Sequence, residues 1–167
     1  MDRIGIEKSI TCLGIMDRGG TVEGDMNLRK MLKPHRDRFS GYLSFHPLFA
    51  KEFTEKLDDF FSDGFFIGFK TICDYWKTPV TDERFTPAWE YADKHRLPIL
   101  FHTWTGGYDS PGQLKNIVKK YPNAQFILGH SGGSNEGRLE AEELAVKNNN
   151  VYLEWCGSFC SSILWEE

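Results

Sequence analysis

A chain of 167 residues with 20 basic and 24 acidic side chains carries a formal net charge of -4, and 40% of it is hydrophobic. That profile fits one soluble domain long enough to bury a sizeable core, and thirteen phenylalanines with five tryptophans give that core a heavy aromatic share. The acidic balance argues against nucleic acid as a main partner, and no apolar run approaches the ~20 residues that cross a bilayer. The opening MDRIGIEKS lacks the h-region and cleavage site of a secretory signal. The four cysteines, 12, 73, 156 and 160, are scattered. The spacing Cys156-x3-Cys160 is a weak metal signal without further ligand pairs, so reduced thiols in a cytoplasmic protein are expected.

In chain order, short apolar runs alternate with amphipathic segments. A strand is predicted over 9–15 (SITCLGI) and a second over 41–47 (GYLSFHP). Between 51 and 64 one helix is expected, with Phe53, Leu57, Phe60 and Phe61 on a single face and Gly64 closing it. A third strand follows over 64–72. A helix is then predicted with Thr86 as its N-cap, Pro87 at its first helical position and Ala88, Trp89 and Ala92 facing inward. The strand over 97–104 (LPILFHTW) comes next, then a helix with Ser110 as cap and Pro111 as its start, bearing Leu114, Ile117, Val118 and Tyr121 as its stripe. A fifth strand spans 124–131 (AQFILGHS), a fourth helix fits around NEGRLEAEELAVKN, and a sixth strand spans 150–156 (NVYLEWC).

The strands are nearly continuous in hydrophobicity, as parallel strands covered on both faces are. They start roughly every 30 residues, the length of a βαβ unit. Six such units fit an open doubly wound sheet or part of a (β/α)8 barrel. No G-x-G-x-x-G follows the first strand, which removes the dinucleotide-binding version. Functional residues at strand C-termini are the habit of the barrel, so the barrel is expected. Both ends read as mid-unit. MDRIGIEKSI looks like the last turn of a helix capped by Gly5, and GSFCSSILWEE like the opening of a new one, which predicts a piece of a domain near the ~250 residues of a barrel.

Two strands end in the same way. His102 closes one apolar run before Gly106-Gly107, and His130 closes the next before Gly132-Gly133. In a barrel both side chains reach one rim, and the glycines let backbone turn close to a ligand. His46 ends an earlier strand and can face the same rim. Trp104, Tyr75 and Trp155 follow strand ends and can wall a pocket for an aromatic or cyclic substrate.

LPILFHTW, YPNAQFILGHSGG and NNNVYLEWCGS, together with MDRIGIEKSI and HRDRFSGYLSFHP, resemble the amidohydrolase-related family of metal-dependent hydrolases and nonoxidative decarboxylases. The likeness runs in order over nearly the whole chain. It implies an α/β fold, a partial (β/α)8 TIM barrel of about strands 2 to 7 in a single incomplete domain over 1–167. It also implies a divalent metal, Zn2+ first and Mn2+ second, at the C-terminal rim. By resemblance His102 is a metal ligand, and His130 is the catalytic histidine that activates or positions water. Lys70, Trp104 and His46 are substrate-binding candidates, Lys70 near the place where some relatives carry a metal ligand.

The chain departs from the family in having no His-x-His pair and no strand 8 aspartate, so it is expected to lack part of the metal site. Three readings follow. The first is metal-assisted hydrolysis of an ester, lactone or amide of a small molecule. The second is nonoxidative decarboxylation of an unsaturated or aromatic acid. The third is a degraded barrel without catalysis, whose open edges favour a homo-oligomer.

Overall fold

The computed structural model describes residues 1–13 and 20–157. The helix expected from Ser158 onward, Cys160 and the last residues of the first predicted strand lie outside them. Six strands, β1 (Ser9–Thr11), β2 (Phe39–Ser44), β3 (Phe66–Thr71), β4 (Pro98–His102), β5 (Gln125–Gly129) and β6 (Val151–Leu153), form one sheet in the order of the chain. Every neighbouring pair is parallel. Sequential parallel order with helices in the connections is how consecutive strands follow one another around a barrel wall. The doubly wound alternative, whose strand order reverses at a switch point, is thereby set aside.

The connecting helices are α1 (Val22–Leu32), α2 (Ala50–Thr54), α3 (Leu57–Phe61), α4 (Cys73–Trp76), α5 (Thr86–His95), α6 (Lys115–Lys120) and α7 (Asn135–Lys147). The single helix expected over 51–64 is two. The Lys56 amide turns back to the Phe53 carbonyl, three residues away, and breaks the four-residue ladder. Both pieces still bury Phe53, Leu57 and Phe60, and Gly64 closes the second with φ +72°.

Thr86 lies inside its helix rather than capping it. The capping oxygen belongs to Asp82, which accepts from Arg84 N one turn earlier, in a 3-10 segment over Glu83–Phe85. Ser110 precedes its helix as predicted, but its hydroxyl is drawn to Glu140 at 2.8 Å. The first turn there, Pro111–Leu114, is 3-10.

The core lies between the sheet and the helices. Phe69, Ile99, Phe101, Phe126 and Leu128 come from the strands and Phe53, Phe60, Phe85, Trp89 and Leu114 from the other layer, all at most 3% exposed. Strand side chains alternate between faces. In β4, Ile99 and Phe101 are buried while Leu100 and His102 are only partly so. That partly open face carries the candidate site. No helix among the described residues is long and apolar enough to cross a membrane.

One buried group has no sequence signal. Asp25 in α1 is fully buried, its Oδ2 has no partner among the described residues, and its Oδ1 meets Ser44 N only at 3.5 Å. Burial pushes its carboxyl up to about 7. The native state therefore holds the proton more tightly than the unfolded chain, whose carboxyl titrates near ~3.9. The stabilisation is complete below that pH and is lost as pH rises through about 7, at a cost of a few kcal/mol, roughly. Asp25→Asn is expected to flatten the pH dependence of urea unfolding between pH 5 and 8 and to exceed the wild type at pH 8. A variant less stable than wild type at pH 8 would contradict this.

Candidate active site

His102 is the last residue of β4, and alternation turns it away from the core. Its core-facing neighbour Phe101 is locked by stacking on Phe126 at 5.7 Å and by Trp89 at 5.4 Å, so the backbone that aims the imidazole is rigid. Nδ1 lies 3.0 Å from Asp109 Oδ2. A carboxylate only accepts, so Nδ1 carries the hydrogen and Nε2 holds the lone pair. Asp109 is fully buried, is held in place by a 3.3 Å hydrogen bond from Asp74 N, and has no partner at Oδ1 among the described residues. Burial raises its carboxyl above the ordinary range, against the pull of His102.

A buried carboxylate behind an imidazole, one oxygen unsatisfied, is short of positive charge. A cation on the far nitrogen of the ring supplies it, and this is the second layer that orients metal-binding histidines. His102 and Asp109 therefore fit a divalent metal. Asp74, His102 and Asp109 also form one of the groups whose ligand atoms fall within 4.8 Å of one another.

His130 follows β5 in a strained turn. His130, Ser131, Gly132 and Gly133 have φ of 64, 45, 84 and 75°, and the first two lack the freedom of glycine there, at roughly 1–3 kcal/mol each. Side chains from neighbouring strands hold the turn. Thr103 Oγ1 donates to Gly129 O at 2.6 Å and accepts from Gly132 N at 2.9 Å. Thr105 Oγ1 donates to Gly132 O at 3.0 Å. Glu154, just beyond β6, accepts from His130 N at 3.1 Å, and its carbonyl accepts from Ser131 Oγ at 2.8 Å.

The turn swings the imidazole across to His102. The ring centroids are 5.0 Å apart and nearly perpendicular. His130 Nδ1 donates to the Cys156 carbonyl at 2.5 Å, which again leaves the lone pair on Nε2. Burial works against charge on Glu154, but donors from Cys156 and His130 hold its carboxyl below the usual range.

Two cavities meet at Tyr75, His102 and His130. The larger, ≈ 870 Å³, is walled by Trp104 and Tyr108, with Lys77 at its edge. The smaller, ≈ 240 Å³, contains Lys70, Cys12 and Ile72. Tyr75, Trp104 and Tyr108 are 50, 43 and 40% exposed, so aromatic faces stand open to whatever enters. Lys70 shares a sheet face with its register partner Leu100. Burial lowers its ammonium below the ordinary lysine range, against the nearby Cys12, Asp109, Cys156 and Glu154.

The sequence profile of the family described as amidohydrolase matches residues 15–166. The chain belongs to the amidohydrolase family. Among solved structures it is similar to an uncharacterised TIM-barrel protein from Bordetella bronchiseptica, with TM-score 0.69 and 19% identity over 89% of this chain and 54% of that one. It is also similar to 5-carboxyvanillate decarboxylase from Sphingomonas paucimobilis, with TM-score 0.60 and 16% identity over 79% of this chain and 50% of that one. A third likeness is to 4-oxalomesaconate hydratase from Rhodopseudomonas palustris, with TM-score 0.50 and 18% identity over 80% and 48%. The chain thus spans about half the length of these structures. None of the curated proteins matches it.

In this family member His102, His130, Trp104 and Lys70 each line one or both of the two cavities, whereas Trp155 lines neither. His46 lies apart. Its Nδ1 accepts from Leu48 N at 3.0 Å as the cap of a 3-10 turn, and its ring packs against Trp76 at 4.6 Å. It lines neither cavity of the site. Tyr75, expected as part of an apolar wall, lines both. Asp109 and Asp74 were not anticipated. An aspartate in a loop carries no periodic signal, and only the Asp-Ser-Pro turn at 109–111 marks the place.

Proposed function

We propose that this amidohydrolase is a metal-dependent hydrolase in which water attacks an ester, lactone or amide of a small aromatic or cyclic substrate. The observation that carries this reading is the pair of converging imidazoles, each held with its lone pair on Nε2 by a partner at Nδ1. His102, backed by Asp109, would hold a divalent cation, Zn2+ first and Mn2+ second. When bound, such a cation lowers the pKa of a water towards ~7 and polarises a carbonyl.

The remaining work falls to the chain's own residues. His130 Nε2 accepts the proton of the attacking water and returns it to the leaving group. Trp104 and Tyr75 stack on a planar substrate and keep bulk water away. Lys70, in the smaller cavity beside Tyr75, His102 and His130, pairs with an anionic substituent of the substrate.

A lysine in the cavity that adjoins the aromatic one favours a second reading, nonoxidative decarboxylation of an unsaturated or aromatic carboxylic acid; the Sphingomonas structure is named as a decarboxylase. A screen on lactones and aromatic carboxylates separates the two. Hydrolysis consumes the lactone without releasing CO2, and decarboxylation releases one CO2 per acid consumed. In either case His130→Gln, which cannot accept a proton, is expected to lower kcat by about 10²–10⁴. An unaltered kcat would remove His130 from the mechanism.

Among the described residues, β1 and β6 are the sheet edges, with Ile10 and Tyr152 each 49% exposed. Self-association through these edges into a homo-oligomer is part of the proposal.

A further inference from the structure

Lys70 stands in β3 between Phe69 and Thr71, both 0% exposed, and alternation turns it to the opposite face of the sheet. Its backbone is fixed. Phe69 packs on Phe45 at 6.2 Å and on Phe61 at 5.1 Å, and Lys70 is in register with Ser44 of β2 and Leu100 of β4. The side chain is partly buried and lines the smaller cavity, ≈ 240 Å³, whose walls include Leu13, Ile72 and Tyr75.

Lys33, Lys115 and Lys147 each meet a carboxylate near the surface. Lys70 has no ion-pair or hydrogen-bond partner among the described residues. Asp109 and Glu154 act on it through their charge alone, and burial outweighs them. Burial without a paired carboxylate disfavours an ammonium, and the free amine is a nucleophile.

We propose that Lys70 forms an imine with the ketone of a small β-oxo carboxylic acid and decarboxylates it, an activity beyond the proposed function that needs no cation at His102. The amine nitrogen attacks the ketone carbon, and the ketone oxygen leaves as water with the two protons that the lysine ammonium gives up. The resulting iminium draws in the electron pair of the C–CO2 bond as CO2 departs, which leaves an enamine. The enamine carbon takes one proton from solvent, and water hydrolyses the iminium back to ketone and lysine. In sum, the acid anion and one proton become a ketone and CO2. The walls favour this step, because Leu13 and Ile72 solvate a carboxylate poorly and CO2 is neutral.

Trapping with acetoacetate tests the imine directly. The purified protein, as isolated and after chelation, is incubated with acetoacetate and sodium cyanoborohydride, which reduces an imine to a stable secondary amine, and is then digested for mass spectrometry. In both samples a reduced adduct is expected on the peptide that carries Lys70. Parallel samples without the reductant should release CO2 faster than acetoacetate does alone. Lys70→Arg, which keeps the charge but has no nucleophilic amine, should lose the adduct and fall back to the spontaneous rate, whereas Lys115→Arg should match the wild type. No adduct on Lys70 in the wild type, or surface lysines modified to the same extent, would overturn the proposal whether or not the variant folds. Accelerated release that survives in folded Lys70→Arg would overturn it as well. Lactone hydrolysis without an adduct removes this inference and leaves the proposed function, and an adduct without hydrolysis does the reverse.

Discussion

Asp109→Asn is expected to weaken metal binding and turnover by about 10–100-fold, the usual cost of losing the group behind a metal-binding histidine. The asparagine Oδ1 can still accept from His102 Nδ1, so ring and tautomer stay as they are. What disappears is the negative charge, which at this fully buried position has one oxygen without a partner among the described residues. The two roles that Asp109 could have therefore separate. A merely structural aspartate would lose stability on substitution and leave metal affinity alone. Here stability at neutral pH is expected to hold or rise, because an unsatisfied carboxylate has been neutralised, while the metal dissociation constant climbs. An unchanged dissociation constant with a lowered Tm would show that Asp109 does no more than hold its loop.

Gly132→Ala is expected to be the most damaging single methyl group at the site. Gly132 has φ +84°, and a Cβ there would overlap the backbone carbonyl of Gly137 at the start of α7. The left-handed conformation costs roughly 1–2 kcal/mol for a residue with a side chain, and displacing packed backbone adds about 1–3 kcal/mol. Roughly 3 kcal/mol in a domain of this size lowers Tm by about 6–12 °C. The same turn carries His130, so turnover should fall even at temperatures where the variant stays folded. Gly106→Ala is the control. That glycine also has positive φ (+70°), but a Cβ on it would meet nothing within 4 Å, and a smaller loss, near ~1 kcal/mol, is expected. Equal losses in the two variants would mean that backbone strain, rather than the close approach to α7, sets the cost.

The parts of this molecule that the sequence reveals are those with a repeating grammar. Six apolar runs, each ending at a turn, predict six parallel strands, because a buried strand must be apolar on both faces. The matched endings at His102 and His130 are legible for the same reason. A polar residue that closes a buried strand points to the rim, and two of them on adjacent strands share it.

Much of the support is silent. Asp109 reaches back to His102 from seven positions further along the chain, and Glu154 and Cys156 reach His130 from just beyond β6. These pairings depend on register, which no local pattern records. The helix over 51–64 misleads because its aromatic face runs unbroken through the Glu55–Lys56 step where the backbone turns. His46 misleads for the opposite reason. It has the right position at a strand end, but a neighbouring N–H claims its nitrogen.

The central claim is that His102 is the residue on which a divalent cation is held. It is tested most directly by the metal content of the protein as purified, determined by elemental analysis beside His102→Ala and the control His46→Ala. The account predicts zinc or manganese in the wild type and in His46→Ala, and a loss of at least about tenfold in affinity for that ion in His102→Ala. Metal retained at wild-type affinity in His102→Ala would contradict it.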